Sequence, residues 1–276
     1  MRIIVTGGNS GIGKATATAL AVAGHRVLIA GRDIPKAERA AAEMAGDVEV
    51  AHLDLADLTS VRKFAGSVET VDVLVNNAGV LGLPLTRTAD GFEALMGTNY
   101  LGHFALTCLL GDRIKDRVVS VTSMNYRFSR LYLDDLNWHT RTYSKWAAYG
   151  ESKLAIMLFT NELARRGVRA YAADPGGADT NIVRYSKGYL GWSSRQSWLR
   201  DFPQSAQTAA RSSILAVTTD LPSGTCFAPR FMQFGKPRVT KVRRRARDPE
   251  TARRLWELSA ELTGCDWHGR GDGSPP

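Results

Sequence analysis

The sequence predicts an α/β fold: one doubly wound, parallel sheet of about seven strands with helices on both faces. Three observations carry this. Short β-branched runs alternate with amphipathic stretches over most of the chain. Several runs are apolar at every position, as strands covered on both faces are. The connections are short and no linker or composition shift interrupts them, so right-handed crossovers within a single domain follow.

In chain order, strands are expected at Arg2–Thr6, Arg26–Ala30, Val48–Leu53, Val71–Asn76, Arg117–Thr122, Arg169–Asp174 and Thr225–Phe227. Helical periodicity fills the intervals, at Gly13–Ala23, Pro35–Met44, Ser60–Gly66, Gly91–Leu110, Ala148–Arg166 and Gln204–Thr218, with a last helix at Asp248–Glu261. Two stretches break the rhythm. Asn125–Trp146 is rich in aromatic and charged residues, and Asn181–Pro203 holds Tyr185, Tyr189, Trp192, Trp198 and Phe202. Loops of that length are usually functional or mobile. The domain is expected over residues 1–268, and 269–276 reads as a disordered tail.

Composition bounds the class. Of the 276 residues, 44% are hydrophobic and 23% charged, as in an ordinary globular protein, and the formal charge is +9. Such a balance suits a nucleic acid or an anionic small molecule equally. Five basic residues lie within Lys241–Arg247, but one short cluster reads as a solvated face, so no nucleic-acid partner is expected. Cys108, Cys226 and Cys265 are widely scattered, without metal-ligand spacing or a disulfide framework, so no metal is expected. No stretch reaches the roughly 18 apolar residues of a membrane span. Met1-Arg2 leads directly into a strand rather than a secretion signal. A cytoplasmic protein with no membrane partner is the expectation.

The chemistry begins at Val5-Thr6-Gly7-Gly8-Asn9-Ser10-Gly11-Ile12-Gly13, between the first strand and the first helix. Gly7 permits a tight turn, Gly11 lets backbone approach a pyrophosphate, and Gly13 allows close helix packing. The phosphates of a dinucleotide then meet the N–H groups and dipole of a helix N-terminus, the signature of a Rossmann fold. At the end of the second strand, Gly31-Arg32 stands where NAD sites carry a carboxylate for the ribose 2′-hydroxyl. A guanidinium there suits a 2′-phosphate, so NADP(H) is favoured. Asp33, next in sequence, either caps the following helix or pairs with Arg32. Asp54 either accepts the adenine amino group or caps a turn. Asn76-Asn77-Ala78-Gly79, ending the fourth strand, combines small residues that leave room for a ribose with turn-forming ones.

Tyr149 and Lys153, four apart in Tyr149-Gly150-Glu151-Ser152-Lys153, share one helix face. An adjacent ammonium, with an oxidised nicotinamide, is expected to lower the phenol below its usual pKa of ~10 and make it an acid/base. Ser123 ends the fifth strand at the carboxyl edge of the sheet, where its hydroxyl can donate to a developing alkoxide.

Together, the Thr6–Gly13 loop, Asn76–Gly79, Ser123 and Tyr149–Lys153 resemble the short-chain dehydrogenase/reductase family, from Arg2 to about Thr263. The resemblance implies that Tyr149 is the acid/base, Lys153 its pKa modifier and ribose ligand, and Ser123 the donor to the substrate oxygen. It makes Asn99 the holder of a water that continues a proton relay from Lys153. It gives Asp54-Leu55 to the adenine, and Pro175-Gly176 with Thr180 to the nicotinamide carboxamide. Asn99–Phe104, Ser152–Ala155, Leu158–Leu163 and Arg254–Ser259 are similar to the retinol dehydrogenase-like branch, which prefers NADP(H). A small-molecule carbonyl or alcohol is the implied substrate, and the aromatic residues of 181–203, which could also be core, resemble the family's substrate-covering segment and imply that it is apolar or ring-containing. A homodimer or homotetramer paired through the helices after Asn99 and Tyr149 is the implied assembly. Asp174 departs from the family pattern, which has His or a small residue before Pro-Gly. A reductase of C=N or C=C bonds, and a non-catalytic dinucleotide sensor, are the competing readings.

Overall fold

The computed structural model describes residues 1–177 and 204–267. Thr180, the aromatic segment 181–203 and the tail 269–276 lie outside the described residues. Among the described residues the sheet has eight strands: β1 (Arg2–Thr6), β2 (Arg26–Gly31), β3 (Val48–His52), β4 (Val71–Asn76), β5 (Ile114–Val121), β6 (Arg169–Ala173), β7 (Cys226–Pro229) and β8 (Pro237–Val239). Their order is β3-β2-β1-β4-β5-β6-β7-β8, parallel as far as β7. The expectation of about seven strands missed β8, which pairs antiparallel with β7. Its three residues contain a proline and two exposed side chains, so neither length nor pattern marks it as a strand.

Helices α1 (Gly11–Val22), α2 (Ile34–Ala42) and α7 (Ala206–Thr218) belong to one side of the sheet. Helices α3 (Leu58–Ser67), α5 (Gly102–Leu110), α6 (Lys145–Arg165) and α8 (Pro249–Thr263) belong to the other. Strand β1 shows why its sequence is apolar throughout. Ile3 and Val5 pack with Ala17 and Leu20, while Ile4 packs on the opposite face with Phe104 and Leu158.

The stretch read as one helix over Gly91–Leu110 is compound. A short α4 (Ala94–Met96) starts where the Glu93 carboxylate accepts from the amides of Leu95 and Met96 at 3.0 and 2.7 Å. A π turn then spans Gly97–Leu101 and closes with Gly102 N–H bonded to the Gly97 carbonyl, and α5 follows. A Cβ on Gly102 would lie 2.3 Å from the Leu55 carbonyl, so only glycine lets this helix meet the loop after β3.

Asn125–Trp146 is anchored rather than open. Arg141 forms a bidentate pair with the buried Glu151 at 2.9 and 3.1 Å, and its Nε donates to Asp135 at 3.1 Å. The same guanidinium stacks on Trp138, 3.8 Å from the ring centroid. Glu151 sits between Tyr149 and Lys153 in sequence, so this clamp fixes the start of α6.

Helix α8 closes the far side. Trp256 packs edge-on against Phe104, centroids 5.0 Å apart, and stacks on Phe159 at 5.8 Å. The Tyr100 hydroxyl meets that of Ser259 at 2.8 Å. Every residue of α5 except Leu109, and residues 148–160 of α6, are buried within this one chain. Trp256→Ala is expected to lower stability by about 3–5 kcal/mol through the cavity it leaves, measured by urea unfolding.

Candidate active site

The order of strand addition reverses between β1 and β4, the position where doubly wound folds bind ligands. The glycine loop opens there. Gly7 (φ 65°) and Gly11 (φ 53°) take left-handed conformations. A Cβ on Gly13 would lie 2.4 Å from both the Gly7 carbonyl and Asn77 Nδ2. Gly13 thus serves packing against the loop and β4 junction rather than helix against strand. Ser10 is the N-cap of α1 but its side chain makes no capping bond, so the first N–H groups of the helix point outward uncapped. Asn9 leans over Gly31, its amide 3.5 Å from where a Cβ would stand.

Asp33 caps α2 by accepting from Lys36 N–H at 3.0 Å, which settles its role. Arg32 is exposed and has no ion pair or hydrogen bond among the described residues. Asp54 accepts from Ala56 N–H at 2.9 Å through one oxygen only. Leu55 is buried under Gly102. The features a dinucleotide needs are present: a cradle that Cβ atoms would fill, an uncapped helix start and an unpaired guanidinium. Ile12 is the residue of α1 between the two glycines of that cradle.

The junction of β1 and β4 is held by a buried polar node that sequence reasoning missed. The Thr6 hydroxyl lies 2.8 Å from His103 Nε2 and accepts from the amides of Asn77 and Ala78, both at 2.9 Å. His103 Nδ1 lies 2.8 Å from the Asn99 carbonyl. A carbonyl only accepts, so Nδ1 carries the proton. Burial holds His103 down to about 4 and hence neutral, so Nε2 is the acceptor and Thr6 the donor. Asn77 Nδ2 donates to the Thr6 carbonyl at 2.7 Å. The readable signal was Asn99 and His103 one helical turn apart, opposite a threonine that precedes the glycine loop.

Asn99 braces the neighbouring strand end as well. Its Oδ1 accepts from Val80 N–H at 2.7 Å, and its Nδ2 donates to the Val80 carbonyl at 3.1 Å and to Ser152 Oγ at 3.0 Å. Ser152 in turn donates to the Tyr149 carbonyl at 2.8 Å. A Cβ on Gly79 would lie 3.3 Å from Asn99 Oδ1 and 3.7 Å from Lys153 Nζ, so Gly79, Asn99 and Lys153 converge.

Ser123 caps the turn after β5, its Oγ accepting from Asn125 N–H at 3.4 Å, and its side chain stands near enough to the Tyr149 hydroxyl to draw that phenol's pKa down. Lys153 is buried, with Nζ 5.7 Å from the centroid of the Tyr149 ring. The protein's own groups act against the lowering expected for Tyr149 beside an oxidised nicotinamide. Burial pushes the phenol up to about 12, against the pull of Ser123, with the Asp174 carboxylate raising it further. Burial also lowers Lys153 to about 8, and its ammonium is spent on the Val121 carbonyl at 3.0 Å. Desolvation of two neighbouring groups outweighs the attraction expected between them.

Asp174, the departure from the family pattern, is buried beside this group. Burial raises it to about 6, against a bond from Gly176 N–H at 2.9 Å and the fields of Arg127 and Lys153. Pro175 is buried and Gly176 has φ 74°. A Cβ on Gly176 would lie 2.6 Å from the Gln233 carbonyl, so the loop after β7 fixes this turn. No group of His, Cys, Asp and Glu among the described residues suits a metal.

A family model described as short chain dehydrogenase matches residues 1–134. Human retinol dehydrogenase 13 is 42% identical over 96% of this chain and 85% of its own length. The crystal structure of an uncharacterized protein from Mycobacterium paratuberculosis is 45% identical, with a TM-score of 0.85 over 96% of this chain and 94% of that one. A short chain dehydrogenase from Burkholderia cenocepacia in complex with NADP is 25% identical, with a TM-score of 0.64 over 82% of this chain and 94% of that one.

His103 gives the node a pH signature. Its ordinary value is 6.5 and its folded value about 4, so between them the unfolded chain binds the additional proton. The stability tied to the neutral ring is full above about 6.5 and is lost as pH falls towards about 4. His103→Gln is expected to remove up to about 3 kcal/mol of that acid-dependent loss. Urea midpoints of both proteins across this interval check it.

Proposed function

The chain belongs to the short-chain dehydrogenase/reductase family, in its retinol dehydrogenase-like branch, and on that premise we propose that it is an NADPH-dependent reductase of apolar, ring-containing carbonyl compounds, or their alcohol dehydrogenase in reverse. The observation that carries this reading is the convergence of Ser123, Tyr149, Lys153 and Asn99 beside the junction of β1 and β4. The glycine loop and the α1 start would hold the pyrophosphate, Asn9, Gly31 and Arg32 the 2′-phosphate, Asp54 and Leu55 the adenine, and Pro175-Gly176 the carboxamide. The dinucleotide, when bound, supplies or accepts the hydride.

The protein's own part is proton management. With its pKa pushed up to about 12, Tyr149 keeps its proton at neutral pH and is ready to donate it to a carbonyl oxygen. Ser123 offers that oxygen a second hydrogen bond as it gains charge. The reverse reaction needs the phenol to lose its proton, and the direction of net turnover follows the coenzyme ratio and the substrate. Lys153, at about 8, stays mainly ammonium at neutral pH and offers Tyr149 and a ribose a cationic neighbour. Asn99 and Ser152 hold the backbone of Tyr149 and Val80 in register around it.

Loss of absorbance from NADPH against NADH, followed over a panel of ketones, aldehydes and imines, tests the activity and separates C=O from C=N reduction. Tyr149→Phe is expected to lower kcat at least about 10²-fold while fluorescence titration shows NADPH still bound. Arg32→Ala is expected to raise the KM for NADPH about tenfold or more, as loss of a charge-assisted contact does, and to leave that for NADH unchanged. Equal effects on the two coenzymes would remove Arg32 from the 2′-phosphate site.

A further inference from the structure

Among the described residues, ten large apolar side chains are exposed, and six of them come from two short segments, 124–132 and 227–247. They are Phe128 (71% exposed), Phe231 (58%), Val239 (55%), Met232, Phe234 and Tyr132. The fold sets these segments side by side. Arg127 Nη2 donates to Thr240 Oγ1 at 3.0 Å, and Arg245 Nη1 donates to the Ser129 carbonyl at 2.7 Å. The β7–β8 hairpin carries its apolar residues at the tip. Phe231 N–H bonds the Phe234 carbonyl at 3.1 Å, Met232 takes φ 64°, and the two phenyl rings lie 5.4 Å apart.

Charge follows the same boundary. The two segments hold ten of the chain's 36 Lys and Arg and none of its 27 Asp and Glu, so the rest of the chain is nearly neutral. All ten except Arg127 are exposed. Beside them opens a groove of about 670 Å³, lined by Leu131, Leu154 and Leu158, by Arg130, Arg244 and Arg245, and by Thr251 with Asp248, whose carboxylate is bonded to Thr251 as the cap of α8.

We infer that this face docks on an anionic lipid bilayer, with Phe128 and the Phe231–Phe234 hairpin entering the interface and the arginines meeting lipid phosphates. Exposed aromatic residues within a basic field gain by insertion at the headgroup boundary, where apolar burial and attraction to anionic lipid add. The groove matches the same chemistry, with an apolar floor for an acyl chain and guanidinium groups for its headgroup. Single strands of nucleic acid also take basic and aromatic side chains, but Met232 and Val239 offer no stacking face. The surface adjoins the site, because Met124 follows Ser123 and Pro229 packs against Gly176. An apolar carbonyl compound dissolved in the bilayer would then reach Tyr149 without crossing bulk water.

Co-sedimentation of the full chain with phosphatidylcholine vesicles, with and without phosphatidylglycerol, tests this independently of turnover. Binding is expected with phosphatidylglycerol and is expected to weaken as salt screens the arginines. The double variant Phe231→Ser/Phe234→Ser should bind at least about tenfold more weakly. Arg244→Glu/Arg245→Glu should lose the preference for anionic lipid. Both variants should keep the thermal unfolding and NADPH binding of the parent, which shows that their fold is intact. Failure to pellet with either vesicle, equal binding to both, or unchanged binding by the phenylalanine variant would overturn the inference. So would a shift of short RNA that the phenylalanine variant leaves intact, which assigns the face to nucleic acid.

Discussion

The hydroxyl of Thr6 is the constraint on which the site depends. It joins three elements that are distant in sequence: the end of β1, the Asn77-Ala78 turn after β4, and the helix that carries Asn99 and His103. Its one proton goes to the imidazole and its two lone pairs receive two amides, so its hydrogen-bonding capacity is filled. Each partner is equally committed, which leaves little slack in a water-free place. Removing any member strands a buried donor or acceptor at about 1–3 kcal/mol. The node therefore does more than add stability. It fixes the crevice between β1 and β4, where the glycine loop meets the helices that carry Asn99, Tyr149 and Lys153.

A second consequence of burial runs through the titratable groups. Tyr149, Lys153, His103 and Asp174 all leave their ordinary values, and in each the first cause is desolvation. The direction follows the charge: the acids go up and the bases go down, so every one of them moves towards its neutral form. A site assembled this way stores unfavourable solvation that a hydrophobic core would avoid. Asp174 is the informative member. Its field opposes ionisation of Tyr149 and supports protonation of Lys153, so it favours the proton-loaded form of both.

The fold was readable because its strands are buried on both faces and its glycines are required one by one. Five strands, β1, β2, β3, β4 and β6, begin where the sequence places them, and β1 and β4 also end there. Gly13, Gly102 and Gly176 each admit a contact that a Cβ would block. The rest was hidden for physical reasons. The π turn at Gly97–Leu101 leaves the apolar spacing of a helix almost unchanged, so periodicity runs through it. β8 is too short and too exposed to carry a pattern. The Arg141–Glu151 pair and the Thr6–His103 contact join residues 10 and 97 apart, and no local rule predicts such a partner. Tyr149 and Lys153 were correctly set on one helix face. Adjacency, however, says nothing about how much water each has lost, and that loss decides the sign of the Tyr149 shift.

The last helix carries one more consequence for the site. A short α/β domain can steady its catalytic helix by pairing it with a second copy, but here the chain supplies both supports itself. Arg141 grips α6 at Glu151, and Trp256 packs on Phe159 two turns further along. Tyr149 and Lys153 stand at the end of α6 gripped by Arg141, so their spacing from Ser123 and Asn99 is set within one chain. Among the described residues, six of the ten exposed large apolar side chains lie on the segments beside the carboxyl end of β7. Rigidity and the exposed apolar rim thus meet along α6, whose Leu154 and Leu158 line the groove beside that rim. A helix can then be held tightly enough for proton transfer while the entrance beside it meets its partner.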